Sequence, residues 1–304
     1  MSLTLHLARQ CLDSRIVLIE GEHMKGAYWL DRGEYPFASR FLDLTPGRMH
    51  YVDEGQGEPV VLVHGTPTWS FLYRHIISGL SSSGYRCVAP DLIGFGLSDK
   101  PRDWSYRPED HARDVESLNE TLGPRDITLV VHDFGGPIGL AYALAHPENV
   151  RRIVLSNTWM WSGRGERRYY PLRLGNRLFD NRVCETVYTR YDAPTELVFR
   201  MGVAERSRLP ERVLNQYLGP QRTPDGRRGA WELLRHVVGS ADWYDRLWAQ
   251  RRRLADTPAL IVWGAKDPFF GRADLARWVS LLHRSRTVEL HDTGHFCGRR
   301  GAPS

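Results

Sequence analysis

The sequence predicts an α/β fold: a mostly parallel sheet flanked by helices, with a helical segment inserted before the late strands. Three observations predict it. Short runs of Val, Ile and Leu recur without polar alternation, as in strands buried on both faces. Helix-length amphipathic stretches separate these runs, which calls for crossover connections. The alternation then stops between Trp159 and about Ser240, where helical spacing at Leu197, Val198, Met201 and Ala204 takes over, and strand character returns at Ala259–Trp263.

Residues 1–36 are mixed and irregular, ending near Gly33 and Pro36, and read as an N-terminal extension without assigned structure. Strands are expected at Met49–Val52, Val60–His64, Arg86–Ala89, Ile127–His132, Arg152–Ser156, Ala259–Trp263 and Thr287–Leu290. Helices are expected at Ser70–Ser82, Pro108–Leu122, Gly136–Ala145 and Ala273–Leu282. Residues 37–158 and 241–304 then form the core. Residues 159–240 form a helical cap over the C-terminal edge of the sheet, where open α/β sheets bind ligands.

Composition narrows the function classes. The chain has 304 residues, 41% hydrophobic and 25% charged, so it can bury a core without metals or disulfides. Cys11, Cys87, Cys184 and Cys297 are far apart and no CxxC occurs, which fits reduced thiols in the cytoplasm better than zinc or a disulfide framework. The net charge is +5, and of 41 basic residues only Lys25, Lys100 and Lys266 are lysine. The arginines are interleaved with acids, as on solvated faces, so no nucleic-acid partner is expected. No run of 18 apolar residues could span a membrane, no membrane partner is expected, and Asp13, Glu20 and Glu22 interrupt any signal-peptide core. No P-loop, GxGxxG or His/Cys cluster suggests a nucleotide, flavin or metal.

Four motifs carry chemistry. In Leu129-Val130-Val131-His132-Asp133-Phe134-Gly135-Gly136 a buried strand meets a glycine turn and then a helix, a nucleophile elbow with aspartate where serine is usual. Upstream, His64-Gly65-Thr66-Pro67-Thr68-Trp69-Ser70 follows a strand, and the Thr66 amide can face the elbow and join the Phe134 amide as an oxyanion hole. Asp267, in Trp263-Gly264-Ala265-Lys266-Asp267, lies just past a late strand, where an acid can orient a histidine. His295, in Thr293-Gly294-His295-Phe296, supplies a general base, with His291 as a weaker competitor. His64 and His132 read as structural neighbours of the site.

The chain resembles the haloalkane dehalogenases of the α/β-hydrolase fold, and more distantly epoxide hydrolases, over about residues 36–297. The likeness is densest in HGTPTWSFLYR, APDLIGFGLSDKP, VVHDFGGPIGLAYALAHPENV and VWGAKD. It implies Asp133 as nucleophile, His295 as base and Asp267 as supporting acid, acting on a small apolar organic substrate and water in a monomer or weak homodimer. Some members carry the acid after the strand preceding the cap, and here that position is Asn157. A carboxylate attacks sp³ carbon to give an alkyl ester, which water then hydrolyses.

Two departures stand out. The family usually holds the departing halide with an indole directly after the nucleophile and with a second donor, often at the x of HGxP. Here those positions carry Phe134 and Thr66, so Trp69, Trp159 and Trp161 are the indoles available to a substrate or leaving-group pocket. The family also continues into a final helix, whereas only Cys297–Ser304 follow Phe296. Alternatives within the fold are an epoxide hydrolase, for which Tyr169, Tyr170, Tyr188, Tyr191 and Tyr217 are candidate acids, a β-lactone-acting enzyme, or a non-catalytic relic.

Overall fold

The buried apolar runs assemble into one nine-stranded sheet in a computed structural model that describes residues 16–18, 27–191, 193–204 and 209–296. The strands are β1 (Ile16–Leu18), β2 (Arg40–Leu44), β3 (Gly47–Glu54), β4 (Glu58–Val63), β5 (Tyr85–Pro90), β6 (Ile127–Asp133), β7 (Val150–Thr158), β8 (Ala259–Gly264) and β9 (Ser285–Leu290). Their spatial order is β1-β2-β3-β5-β4-β6-β7-β8-β9. The first three pairings are antiparallel and the rest are parallel. From β4 the chain moves to β5 on one side and then crosses to β6 on the other. The C-terminal ends of β4 and β6 therefore flank a switch point, where open α/β sheets leave a crevice.

Helices cover both faces. They are α1 (Arg74–Ser82), α2 (Pro108–Leu122), α3 (Gly135–Ala145) and, late in the chain, α10 (Arg272–Leu281). Helix α3 is buried almost all round, because it runs beneath α2 and against β6 and β7. Ser70–Tyr73, expected as the first turn of α1, is instead a separate 3₁₀ turn. Between β7 and β8 the chain forms only helices: α4 (Tyr170–Phe179), α5 (Arg182–Arg190), α6 (Ala193–Gly202), α7 (Glu211–Leu218), α8 (Pro224–Gly239) and α9 (Ala241–Ala249), with short 3₁₀ turns. No described helix is long and apolar enough to cross a membrane.

The N-terminal reading needs correction. Ile16–Leu18 pairs with Arg40–Leu44 as the edge of the sheet, and neither strand was expected. Tyr35 is fully buried and its hydroxyl hydrogen-bonds Ser70, while Trp29 meets the Trp69 ring edge-on at 5.5 Å. These aromatics find partners far along the chain, which no local pattern announces. Tyr35 thus belongs to the packed core, and the half-buried Trp29 packs against it through Trp69. Tyr35→Ala is expected to lower the unfolding free energy by about 3 kcal/mol in urea titration. A loss of about 0.5 kcal/mol or less, typical of surface positions, would show the segment to be peripheral.

Candidate active site

Asp133 ends β6 with φ +52°, a conformation unusual for a residue with a side chain. Close packing and hydrogen bonds hold it there. Thr158 Oγ1 donates to the Asp133 carbonyl at 2.6 Å. A Cβ on Gly136 would overlap Thr158, and one on Gly65 would overlap the Asp133 carboxylate, so only glycine allows both close approaches. Helix α3 starts directly afterwards, and the amide of Phe134, at its N-cap, hydrogen-bonds the carboxylate. The Thr66 amide donates to Asp133 Oδ1 at 2.8 Å.

His295 and Asp267 complete the group. His295 Nδ1 lies 2.8 Å from Asp267 Oδ2, and His295 Nε2 lies 3.6 Å from Asp133 Oδ2, too long for a direct hydrogen bond. Asp267 Oδ1 accepts the amides of Phe269 and Phe270 at 2.7 and 3.2 Å, which fixes its plane. The His295 amide donates to the Gly202 carbonyl at 2.8 Å, and Phe296 stacks on Phe199, so helix α6 anchors the loop. Residues 297–304 lie outside the described part of the chain.

Burial and charge tune these groups in opposite directions. Burial pushes the Asp133 carboxyl up to about 6, although His295 and the amides of Phe134 and Thr66 pull it down. Burial would lower His295, but the charge and hydrogen bond of Asp267, with the charge of Asp133, outweigh it and raise the imidazole. His132 is driven well below the ordinary histidine range by burial and by His295, and its Nδ1 faces the Ser156 carbonyl at 3.0 Å. Its ring packs on His295, with centroids 4.5 Å apart.

A mainly apolar cavity of about 380 Å³ opens above Asp133 and His295. Phe134, Trp159, Val198, Val237 and Phe270 are among its walls, and Thr66 borders it. The Thr66 hydroxyl is buried and unpartnered among the described residues.

Comparison with known proteins places this arrangement. A family model for the alpha/beta hydrolase fold matches residues 58–297. Haloalkane dehalogenase 2 of Mycobacterium tuberculosis is 34% identical over 264 residues, covering 86% of this chain and 90% of its own. The chain belongs to the haloalkane dehalogenase family of α/β-hydrolases. A cis-3-alkyl-4-alkyloxetan-2-one decarboxylase of Shewanella oneidensis is also 34% identical, over 270 residues, covering 86% of this chain and 83% of its own. The crystal structure of a haloalkane dehalogenase from Bradyrhizobium elkani superposes with TM-score 0.75 at 26% identity, covering 86% of this chain and 92% of that one.

Within this family frame the indoles separate. Trp159 lines the cavity, stacked on Phe270 with centroids 5.3 Å apart and edge-on to Phe134 at 4.7 Å. Trp69 and Trp161 are not among the cavity's lining residues, which corrects the expectation for both. Trp69 is buried against Phe71 and spends its Nε1 on the Gln216 carbonyl at 2.9 Å. Trp161 packs on Trp248 and Trp278 beneath the Arg277 guanidinium. Of the candidate tyrosines, Tyr169 and Tyr188 line the cavity, Tyr170 and Tyr191 are exposed, and Tyr217 is buried between Phe71 and Phe199. His64 shapes the loop after β4, with Nδ1 facing the Gly65 carbonyl and Nε2 accepting from the Leu92 amide, and His291 is exposed.

Asn157 has a part that sequence reasoning missed. Its Nδ2 donates to Asp267 Oδ2 at 2.6 Å, and its Oδ1 accepts the Gly264 amide at 2.8 Å. It therefore buttresses the acid instead of replacing it. Asn157→Ala is expected to cost about 2 kcal/mol in urea, from the unpaired Gly264 amide and the loosened Asp267. Asn157→Asp should cost more, and the excess should shrink on acidification as one carboxylate of the new pair takes a proton. Equal loss for both variants at neutral pH would refute this role.

Proposed function

We propose that the chain hydrolyses carbon–halogen bonds of small apolar organic compounds through an alkyl ester at Asp133. The observation that supports this reading most is an aspartate at the elbow, with one oxygen on the Thr66 amide and the other beside His295, at the floor of an apolar cavity. Oδ2 attacks the carbon bearing the halogen, the new C–O bond forms, and the C–X electrons leave with halide. Water then attacks the carboxyl carbon of the ester. His295 Nε2 takes the water proton, Asp267 stabilises the imidazolium, and the Thr66 and Phe134 amides hold the oxyanion. Collapse restores the carboxylate, and the departing alkoxide takes the proton from His295.

The charges order the two steps. A carboxyl titrating at about 6 is roughly nine-tenths ionised at pH 7 and needs no base to attack. Esterification removes that negative charge, which is one of the influences holding His295 protonated. Its loss lets the imidazole shed its proton, and the neutral ring is the form that can accept a proton from water once the ester exists. The described cysteines, Cys87 and Cys184, are free thiols, which fits a cytoplasmic setting.

A second reading is favoured by Phe134, which offers no side-chain hydrogen bond to a departing halide. In a β-lactone the leaving carboxylate stays tethered to the substrate. Attack by Asp133 would open the ring, and loss of carbon dioxide would form a C=C bond and expel Asp133 without water. The oxetanone decarboxylases among the relatives lend weight to it.

Single turnover in oxygen-18 water should label the Asp133 carboxylate, and His295→Phe should trap an alkyl ester seen as added mass on the Asp133 peptide. Turnover without label would rule out ester hydrolysis and favour decarboxylation. Because the alkylating form is the carboxylate, kcat/KM should fall as pH drops through about 6. A flat profile from pH 5 to 8 would contradict it.

Phe134→Trp should raise chloroalkane turnover about tenfold by restoring one donor of ~1.5 kcal/mol, with a smaller gain on bromoalkanes. Absence of halide release from both wild type and variant would reject the dehalogenase reading. For an epoxide substrate, Tyr169→Phe and Tyr188→Phe would matter more than position 134.

A further inference from the structure

Residues 159–240 hold 15 arginines and no lysine against 9 acidic residues. The net charge of this segment is +6, so it carries all of the chain's excess, and the remainder is −1. Some of these arginines are paired, as in Arg228–Glu185 and Arg235–Asp180. Arg167, Arg182 and Arg190 are exposed with no carboxylate partner among the described residues.

The same helices expose apolar side chains at i, i+4 spacing. These pairs are Tyr170 and Leu174 in α4, Val183 and Val187 in α5, and Leu197 and Met201 in α6, with Tyr170 at 69% and Val183 at 71%. Such spacing puts each pair on one face of its helix. Each pair also has a close sequence neighbour lining the active-site cavity: Tyr169, Tyr188 and Val198. One layer of helix thus separates the cavity from this outer surface. Leu234 and Phe269, which line the cavity, are themselves exposed.

Tyr170 and Leu174 also border a second depression of about 380 Å³, walled by Arg173 and by Arg164, whose guanidinium pairs with Asp242 and Asp245. Arg173 Nη2 is buried there with no hydrogen-bond partner among the described residues.

We propose that the outer face of helices α4–α6 docks on an anionic lipid surface. The arginines meet the headgroup phosphates, and the apolar pairs enter the headgroup–acyl boundary. Exposed apolar side chains beside exposed arginines with no carboxylate partner among the described residues characterise interfacial helices, which lie on a membrane without spanning it. It revises the expectation that the arginines merely solvate the surface. It also gives an apolar substrate dissolved in lipid a short path to the cavity. The docking stands independently of the chemistry at Asp133, because it is read without turnover.

The test is co-sedimentation of the full chain with vesicles of phosphatidylcholine alone or mixed with phosphatidylglycerol. Binding is expected only to the anionic vesicles, with release at high salt. Arg182→Gln with Arg190→Gln should weaken the partition coefficient about twentyfold, at roughly fivefold per basic residue. Val183→Ser with Val187→Ser should weaken it about twenty-five-fold, at roughly fivefold for each valine withdrawn. All four positions are exposed, and unchanged thermal melting would confirm that folding is intact. No binding at low salt, or binding indifferent to both double variants, overturns the proposal. If light scattering instead finds a dimer that Val183→Ser with Val187→Ser dissociates, and vesicles bind nothing, the face belongs to a second copy and the lipid reading fails.

Discussion

The left-handed backbone of Asp133 is the constraint from which the rest of the site follows. A side chain at φ +52° is tolerated only because β4, β6 and β7 approach closely around it. Gly65 and Gly136 provide the space, and the Thr158 hydroxyl ties down the carbonyl. The turn lifts the carboxylate out of the sheet and into the amides of the loop after β4. A conventional strand end would point the same side chain along the sheet, away from Thr66 and His295.

Electrostatics then divides labour between two buried groups. Burial makes the carboxyl of Asp133 a weaker acid, while Asp267 and Asp133 together make His295 a stronger base. Neither shift is a property of one residue, because each depends on the charge state of the other. Loss of the charge on either group would therefore shift the other.

Motif order made much of this legible. Asp133, Asp267 and His295 stand beside glycine turns at strand ends, and those local signals survive in one sequence. The indoles were less readable. Trp69 sits in the densest motif of the chain, yet its ring turns into the core toward Phe71, and a motif does not say which way a side chain faces. Asn157 could be dismissed as an acid, but its service to Asp267 spans 110 positions and needed the fold. The short strand Arg40–Leu44 was missed because its buried apolar run is only Phe41 and Leu42, flanked by Arg40 and the exposed Asp43. Tyr35 and Trp29 were missed because their partners are remote in sequence.

The peptide of His295 hangs from the Gly202 carbonyl, at the end of α6. The histidine is therefore suspended between two structural layers: its imidazole is tied to the strand layer through Asp267, and its main chain to the inserted helices. Helical insertions in such folds are commonly regarded as exchangeable lids that set specificity. Here the insertion and His295 form one structural unit. Replacing the helices with those of a relative would import a different seat for the histidine, so recombination at β7 and β8 would tend to fail unless the last loop travelled with them.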